Sequence, residues 1–354
     1  MRTKQQSRKS TVSIDVVARE SGVSPATVSR VINNVPSVKE DNRQRVLAAI
    51  KKLKFQPSVV AQRLARGRSN VVGLVIPRYE GVFYSFYLLE LIRGIGTMCE
   101  VLNLDLLLHL NPAKAPLNFK GLGGIIFADI IGNQEQVAYM LEQKIPCVVI
   151  NNYTRDLAVP CISIDNTQGA KEAINYLAGL GHKRIAHITG DLITQAGQQR
   201  LEGYKEGLKE NSLTFKDDYV VKTDYSRGQA RNAAYKLLKS DRPPTAIFVA
   251  SDSMALEVMA VATELGKQIP RDFSIIGFDD NPSGLYAPVA LTTVRQPLVR
   301  MAEEGVKELS KLIAASSPAK IAKRSLPCEL VIRESCANIN SKRRLNPSEN
   351  TKPT

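Results

Sequence analysis

The sequence predicts a small all-α unit at the N-terminus, followed by an α/β core of two doubly wound parallel-sheet lobes. Apolar residues repeat with helical periodicity as far as residue 53, and from residue 71 the pattern changes to short apolar strands alternating with amphipathic helices. Eight strands are predicted, from 71–76 to 274–278, too many for one small sheet but suited to two lobes over about 260 residues. With 354 residues, 44% of them hydrophobic, the chain has room for two or three cores.

The N-terminal unit is predicted to begin with two short helices joined by a glycine-containing turn. The first helix covers about 14–20, and Ser13 before it could act as its cap. Ser24 can cap the second helix, and Pro25 suits its first position because the amide missing from proline would have no partner there. A third helix is predicted over about 39–53, with an apolar stripe of Val46, Leu47, Ile50 and Leu53.

The second predicted helix has an apolar face and a small, polar and basic face. Val28, Val31 and Ile32 face the first helix, so the opposite face is free to enter the major groove of DNA, where Arg30 could bind guanine O6 and N7. Some of the remaining polar groups could reach phosphates, and the apolar ones could contact a thymine methyl. An ordinary helical hairpin with a solvated face is the alternative. The candidate DNA contacts of this segment are Ser24, Pro25, Ala26, Thr27, Ser29, Arg30 and Asn33.

Positive charge is concentrated in this first part of the chain. Residues 1–70 contain 15 Lys and Arg against 4 Asp and Glu, a net charge of +11 out of +14 for the whole protein. Such a distribution favours a phosphate backbone as partner and predicts salt-dependent binding. A solvated basic tail would explain residues 1–10, which we expect to be a disordered leader, but not the charges between Arg19 and Lys54.

Residues 57–70 are predicted to be a linker that can fold into a hinge helix. The segment has too few large apolar side chains to be a stable helix by itself. Leu64 lies among Arg63, Arg66 and Arg68, so it could fold against the minor groove and insert between base pairs. An inert tether is the alternative. The candidate DNA contacts of the linker are Ser58, Ala61 and Leu64.

Several functional classes are not expected from this sequence. No apolar run approaches the roughly 20 residues of a membrane span and no signal peptide is recognisable, so we expect a cytoplasmic protein without a membrane partner. The five cysteines are scattered and odd in number, which indicates reduced thiols and no zinc or disulfide framework. Nucleotide-binding and hydrolase motifs are absent, and GLGG at 121–124 leads into a strand, so neither an enzyme nor a cofactor is expected.

The predicted core should bind its ligand in the cleft between the lobes. In open α/β sheets, ligands bind beyond the carboxyl ends of the strands. The candidates from strand ends, together with one arginine near the start of a helix, are Arg78, Tyr79, Asn151, Asp165, Arg200, Tyr225, Ser251, Asp252, Asp279 and Asp280.

Nearly the whole chain resembles the lactose- and galactose-repressor (LacI/GalR) family of bacterial transcription regulators. The resemblance rests on VARESGVSPATVSRVINN at 17–34, VVGLVIP at 71–77, IDNTQGAKEAINYLAGLGHKRIAHITG at 164–190, RLEGYKEGL at 200–208 and FSIIGFDD at 273–280, in this order. It implies a helix-turn-helix headpiece over 11–56, a hinge helix over 57–70, a periplasmic-binding-protein-like core over 71–335, and a polar tail over 336–354. The expected lobes are about 71–160 plus 292–319 and about 161–291 plus 320–335.

The resemblance also implies roles for individual residues. Recognition falls on Pro25, Ala26 and Arg30, phosphate contacts on Thr27, Ser29 and Asn33, and the minor-groove wedge on Leu64. In the effector cleft it points to Asp165, Arg200, Tyr225 and Asp279, a set that suits a polyhydroxylated ligand. As alternatives, Arg200 and Asp279 could pair only with each other, and Tyr225 could belong to the core.

The expected protein is therefore a homodimeric repressor that binds a pseudo-palindromic double-stranded operator and responds to a carbohydrate effector. Two departures from the family leave the effector open: Arg78 follows Pro77 where an aspartate is common, and Ser251 stands where asparagine is frequent. Arg78 could favour a phosphorylated or acidic ligand. The alternatives for the whole protein are a ligand-binding module without a DNA role and a DNA-binding protein that has no effector.

Overall fold

The computed structural model describes residues 13–33, 35–55, 69–77, 82–111, 119, 121–315 and 321–339. The chain divides into two units, Met1–Asn70 and Val71–Thr354, and the second unit begins where the predicted core begins. The predicted leader and most of the tail and hinge, with Ser58, Ala61 and Leu64, lie outside the described residues, as do Arg78 and Tyr79. Among the described residues no helix is long and apolar enough to span a membrane.

The first unit contains three helices around one small core. They are α1 (Ile14–Ser21), α2 (Pro25–Ile32) and α3 (Glu40–Leu53). Ser24 caps α2 as predicted, since its hydroxyl accepts a hydrogen bond from the Thr27 amide at 3.2 Å. Ser13 occupies the cap position of α1 without a side-chain hydrogen bond. The buried core consists of Val17, Ala18, Val28, Val31, Val46, Ala49 and Phe55.

One residue of the predicted α3 stripe does not face this core. Leu47 is 47% exposed, whereas Ala49 is buried beside Val46. Positions three and four residues apart share a helix face, so Val46, Ala49 and Ile50 line up, while Leu47 is turned about 100° away from Val46. The expectation for Leu47 was therefore wrong, because the face of α3 that packs in the core is centred on Val46 and Ala49.

The first lobe of the second unit, the N-lobe, is a six-stranded parallel sheet in the order β11-β5-β4-β3-β1-β2. Helices cover both faces, and apolar side chains fill the layer on each side. The strands are β1 (Val71–Pro77), β2 (Asp105–Asn111), β3 (Gly124–Phe127), β4 (Cys147–Ile150), β5 (Cys161–Ile164) and β11 (Lys323–Leu326), and the helices are α4 (Phe86–Val101), α5 (Gln134–Glu142) and α10 (Leu298–Ala314).

The C-lobe has the order β12-β10-β9-β8-β6-β7, in which only β12 runs antiparallel. Its buried layers lie on both sides of the sheet. The strands are β6 (Ile185–Ile188), β7 (Val220–Val221), β8 (Ala246–Val249), β9 (Ser274–Asp279), β10 (Thr292–Arg295) and β12 (Glu329–Val331), and the helices are α6 (Asn166–Gly179), α7 (Gln195–Glu210), α8 (Arg227–Leu238) and α9 (Asp252–Glu264).

The expected lobe boundaries need correction by one strand at each passage between the lobes. β5 pairs with β4 in the N-lobe, β10 pairs with β9 in the C-lobe, and β11 pairs with β5 in the N-lobe. The chain therefore changes lobe after 164, after 295 and between 326 and 329, not near 160, 291 and 319. The physical reason is that each strand completes the sheet it enters and leaves only at its carboxyl end, so all three passages start beside the cleft.

The close packing of α6 on α7 generates a testable prediction. A methyl group added at Gly203 in α7 would lie 2.1 Å from the carbonyl oxygen of Thr167, and backbone cannot yield easily. Gly203→Ala should lower the free energy of unfolding by about 1–3 kcal/mol, as expected for overpacking. Gly228→Ala is the control, because that helical glycine faces open space, and it should be neutral or slightly stabilising. Equal urea unfolding midpoints for the two variants would refute the packing argument.

Candidate functional site

The exposed face of α2 carries the residues predicted to contact DNA. Ser24, Pro25, Ala26 and Arg30 are exposed, and Thr27 and Ser29 are half-buried. Val28 and Val31 are buried on the opposite side of the helix. The helix therefore presents one short strip of small and polar groups around a single guanidinium, which is the kind of surface that fits a major groove.

Two of the predicted phosphate contacts are linked to each other. The Asn33 side-chain amide donates to the carbonyl oxygen of Ser29 at 2.9 Å and lies 3.4 Å from its hydroxyl. Asn33 thereby closes the C-terminal turn of α2. The hydroxyl of Ser24 is engaged similarly at the N-terminus, 3.0 Å from the Thr27 hydroxyl. These polar side chains are held in place by the helix that presents them.

The topology of the second unit places a ligand crevice at two switch points. In the N-lobe the strand order reverses between β1 and β3, and in the C-lobe between β6 and β8. Ligands of doubly wound sheets bind at such points, outside the carboxyl ends of the strands. In the described part of the chain, the residues immediately beyond these ends are Ala128, Asp129, Thr189, Gly190, Ala250 and Ser251.

Arg200 of α7 is buried at the C-lobe switch point, with 5% of its side chain exposed. Its Nη1 donates to the carbonyl oxygen of Ala250 and lies 3.9 Å from an Asp279 oxygen. Its Nε donates to Asn166 at 2.9 Å, and the guanidinium carbon stands 3.9 Å above the Phe278 ring centroid. Among the described residues no hydrogen bond is made by Nη2, so one donor edge of the guanidinium is available to a ligand.

Asp279, the last residue of β9, supplies the opposite charge. Its side chain is 18% exposed, and one oxygen accepts a hydrogen bond from the Gln296 amide. Burial raises the pKa of Asp279 to about 6, although the guanidinium of Arg200 acts to lower it. The sequence-predicted pair of Arg200 and Asp279 thus comes together, at an ion-pair distance and without a direct hydrogen bond between the two groups.

A second carboxylate lies beneath Asp279. Asp252 is fully buried and accepts hydrogen bonds from the Thr293 hydroxyl and the Asn281 amide, at 2.6 and 2.7 Å. Burial and the neighbouring charge of Asp279 hold the pKa of Asp252 well above its ordinary value. Because both oxygens of Asp252 have protein partners, its part is to support the backbone around Asp279 and not to contact a ligand.

Tyr225 forms a wall of the C-lobe side of the crevice. Its backbone φ is +68°, and its phenol ring lies so close over Gly190 that an added Cβ there would be 1.9 Å from the ring. Burial raises the pKa of the Tyr225 hydroxyl, while the nearby Arg200 acts to lower it. The aromatic ring is therefore fixed near Arg200 by a strained backbone and by a glycine that leaves room for it.

Asp165 and Ser251, two other predicted effector contacts, have a helix-capping role in this structure. Asp165 accepts the Gln168 amide at 3.0 Å at the start of α6, and Ser251 accepts the Met254 amide at 3.4 Å at the start of α9. Both follow a strand end, as predicted, yet one oxygen of Asp165 and the hydroxyl of Ser251 are already engaged with backbone. A direct ligand contact by either residue stays a prediction.

Sequence reasoning missed part of the cleft. A cavity of about 420 Å³ extends from Asp279 between the lobes and is lined by residues of both, including Phe86, Glu90, Arg93, Gln296 and Arg300. The aromatic pair at the start of α4 could have indicated Phe86, because α4 follows β1 at the switch point. Asp129 was also missed, although it lies two residues beyond the predicted strand β3. No set of three or more metal-ligating side chains occurs in the described part of the chain.

The raised pKa of Asp279 predicts how the stability depends on pH. Between its ordinary value of 3.8 and about 6, the folded protein holds a proton that the unfolded chain releases. The Asp279 carboxyl therefore stabilises the fold more as the pH falls through this range, and this contribution is lost as the pH rises through 6. The difference in unfolding free energy between the wild type and Asp279→Asn should shift by about 1–3 kcal/mol from pH 7 to pH 4.

Asp224→Asn is the control for this titration, because hydrogen bonds from Ser226 lower the pKa of the exposed Asp224 and should give a small effect of opposite sign. Chemical denaturation at several pH values measures both. Parallel stability curves for the wild type and Asp279→Asn would contradict the assignment.

Comparisons with known proteins agree with this architecture. Residues 13–58 match the family described as bacterial regulatory proteins, lacI family, and residues 174–336 match the periplasmic binding protein-like domain. Catabolite control protein A of Priestia megaterium is 34% identical over 309 residues, covering 85% of this chain and 92% of that protein.

Two solved structures are similar in fold. In each comparison, the match covers 92% of this chain and 99% of the other chain. The transcriptional regulator CelR in complex with cellobiose has a TM-score of 0.69 and 26% identity. The lac repressor dimer bound to operator and the anti-inducer ONPF has a TM-score of 0.78 and 24% identity. Taken with the helix-turn-helix unit and the two-lobed core, these similarities establish that the chain belongs to the lacI family of bacterial regulatory proteins and is a DNA-binding transcriptional regulator.

Proposed function

We propose that this regulator is a homodimeric repressor whose operator affinity is set by an uncharged carbohydrate bound between the lobes. The observation that carries the effector class is the buried pair of Arg200 and Asp279 beside the ring of Tyr225. A guanidinium edge and a carboxylate can bind neighbouring hydroxyls, and an aromatic face can cover the apolar side of a sugar ring. The cellobiose complex of a structural relative supports the same class of ligand.

Charge balance favours a neutral sugar over a phosphorylated one. Asp279 offsets the charge of Arg200, and the adjoining cavity places three arginines beside as many further acids: Arg93, Arg295 and Arg300 with Glu90, Asp280 and Glu303. Asp129 adds a further carboxylate, whose pKa burial raises to about 6. Positive and negative charges around the crevice thus nearly cancel, so an anionic ligand would find no excess of positive charge to offset the loss of its hydration in a partly buried site. Arg78 lies outside the described residues and is not counted in this balance. The phosphorylated or acidic ligand that it could favour is therefore included in the ligand test below.

DNA recognition in this proposal combines α2 with the linker. Arg30 reads a guanine in the major groove, and the polar groups around it bind phosphates. Leu64 inserts into the central minor groove, where hinge folding makes binding depend on deformable base steps. A homodimer places two α2 helices on half-sites about one helical turn apart. Leu285 and Tyr286 are exposed, Tyr286 to 87%, and they offer apolar surface for contact with a second copy of the chain.

The first experiment is selection of bound duplexes from a random DNA pool with the purified protein at physiological salt. A two-fold symmetric site with half-sites about one helical turn apart supports the dimeric regulator. Enrichment of a single, asymmetric half-site would overturn the symmetric dimer, and lack of any enrichment would overturn sequence-specific binding by the free protein.

Replacement of the recognition arginine should relax one base preference. We expect Arg30→Ala to weaken operator binding by about 1–3 kcal/mol and to remove the discrimination at one base pair, because a bidentate guanine contact is lost. Arg271→Ala removes the same charge from an exposed site in the C-lobe and serves as the control. Fluorescence anisotropy with operators varied at that base pair measures both. A uniform loss of affinity for all operator variants would make Arg30 a phosphate contact instead.

Ligand response should depend on the buried pair. Thermal shifts with cellobiose, glucose, galactose, maltose and glucose 6-phosphate first identify a ligand class, and a stronger response to the phosphate ester would overturn the neutral-sugar proposal. Arg200→Ala and Asp279→Ala should each reduce affinity for the responding sugar by about tenfold or more, since each leaves a charged or polar partner unpaired. Operator binding without ligand should persist.

Arg227→Ala is the matched control, because it removes an exposed arginine of the same lobe that pairs with Glu257, and Glu257 keeps Arg231 as a partner. It should keep the sugar response. If either cleft variant responds to the sugar as the wild type does, the proposed ligand site is misplaced.

A further inference from the structure

The side chain of Asn166 contacts the guanidinium of Arg200 and belongs to a passage of the chain between the lobes. This residue is the first of α6 and follows β5 with only Asp165 between them. β5 belongs to the N-lobe sheet, whereas α6 packs in the C-lobe core, so Asn166 lies in the first of the three passages. Its side chain is fully buried.

The Asn166 amide is fully used in contacts that join the two lobes. Its Nδ2 donates to the carbonyl oxygen of Ile164, at the end of β5, at 3.3 Å. The same nitrogen donates to Oε1 of Gln199 at 3.2 Å, and its oxygen accepts from Nε of Arg200 at 2.9 Å. One short side chain thus connects an N-lobe strand end with two consecutive residues of α7.

The rest of the structure makes this connection rigid. Gly203, three residues after Arg200 in α7, packs so closely on Thr167 that an added Cβ would lie 2.1 Å from its carbonyl oxygen, so α6 and α7 are in close backbone contact beside Asn166. Arg200 has its Nη1 directed at Ala250 and Asp279, and among the described residues its Nε has Asn166 as its hydrogen-bond partner. The Phe278 ring fixes the plane of the guanidinium, and the hydrogen bonds at Nε and Nη1 fix its rotation within that plane, so Asn166 is one of the two groups that aim its remaining donor edge.

We propose that Asn166 is a positioning residue that sets the in-plane orientation of the Arg200 guanidinium and ties it to the backbone of the passage from β5 to α6. The inference rests on the proposed role of Arg200 as a ligand contact, because only then does the connection serve the effector response. A ligand that moves Arg200 changes its hydrogen bond to Asn166, and Asn166 is also bonded to the end of β5 in the passage. Ligand binding and the angle between the lobes are then coupled through the Asn166 side chain. Coupling of this kind needs no further element between the two.

The test uses the full-length protein without any ligand. Phenylglyoxal modifies accessible guanidinium groups, and peptide mass spectrometry gives the labelling rate of Arg200. Asn166→Ala should raise this rate roughly tenfold, the factor expected for loss of one hydrogen bond to a charged group. Hydrogen exchange at the amides of residues 164–169 should also become faster, since the passage loses its side-chain bond to Ile164.

A conservative variant separates the two halves of the proposal. Asn166→Asp keeps an acceptor oxygen for Arg200 and loses the amide donor to Ile164 and Gln199. Labelling of Arg200 should then stay near the wild-type rate, while exchange in the passage rises. Conversely, Arg200→Ala should accelerate exchange at residues 164–169, which keeps the proposal testable if Asn166→Ala does not fold.

Asn175→Ala is the control, because Asn175 also joins α6 to the α7 end through Glu210 and Asn211 but contacts neither Arg200 nor the passage. Asn175→Ala should change neither the labelling rate of Arg200 nor the hydrogen exchange of residues 164–169. An unchanged Arg200 labelling rate in Asn166→Ala, or an equal rise in Asn175→Ala, overturns the positioning role. Since no sugar is present, failure of the sugar panel would remove the proposed effector and leave these outcomes unaffected.

Discussion

The buried guanidinium of Arg200 constrains the C-lobe at the carboxyl ends of its strands. Removing a cation from water costs several kcal/mol unless charges and acceptors compensate it. Arg200 finds its compensation in four groups on three segments: the carboxylate of Asp279 and the ring of Phe278 on β9, the carbonyl oxygen of Ala250 after β8, and the side-chain oxygen of Asn166 in α6. Displacing any one of these elements weakens the support of the others, so the ligand crevice and the C-lobe core share one network of contacts.

The corrected lobe boundaries show that this network of contacts includes residues of the passages between the lobes. The first and second passages leave β5 and β10 at their carboxyl ends, which is the edge where the crevice lies. Asn166 lies in the first passage, and Gln296, a partner of Asp279, lies in the second. A change in the angle between the lobes must therefore move groups that touch Arg200 or Asp279. In the proposed mechanism, the ligand site would respond to the angle between the lobes because residues of the passages are part of it.

Sequence reasoning succeeded where the signal is local and failed where it depends on tertiary placement. Ser24 and Pro25 identified the start of α2 because capping involves neighbours in the chain. β5 and β10 were missed as strands, since four apolar or mixed residues carry no distinctive periodicity. The family resemblance placed Arg200 and Asp279 in one cleft, and they do lie 3.9 Å apart, while ligand contact by either stays a prediction. The capping role of Asp165 and the Tyr225 ring over Gly190 depend on backbone directions that no spacing in the sequence reveals.

The carboxyl group of Asp279 illustrates why such a site tolerates an unfavourable arrangement. Its backbone has a φ of +124°, and burial raises its pKa to about 6, so the folded protein holds the charged form at a cost. Nearby donors, Gln296 and Arg200, offset only part of that cost. A ligand hydroxyl that donates to Asp279 would supply the missing hydrogen bond, and the gain appears only in the bound state. In the proposed complex, a ligand hydroxyl would thus reduce the cost of holding this charge, at a group whose partner Gln296 lies in a passage between the lobes.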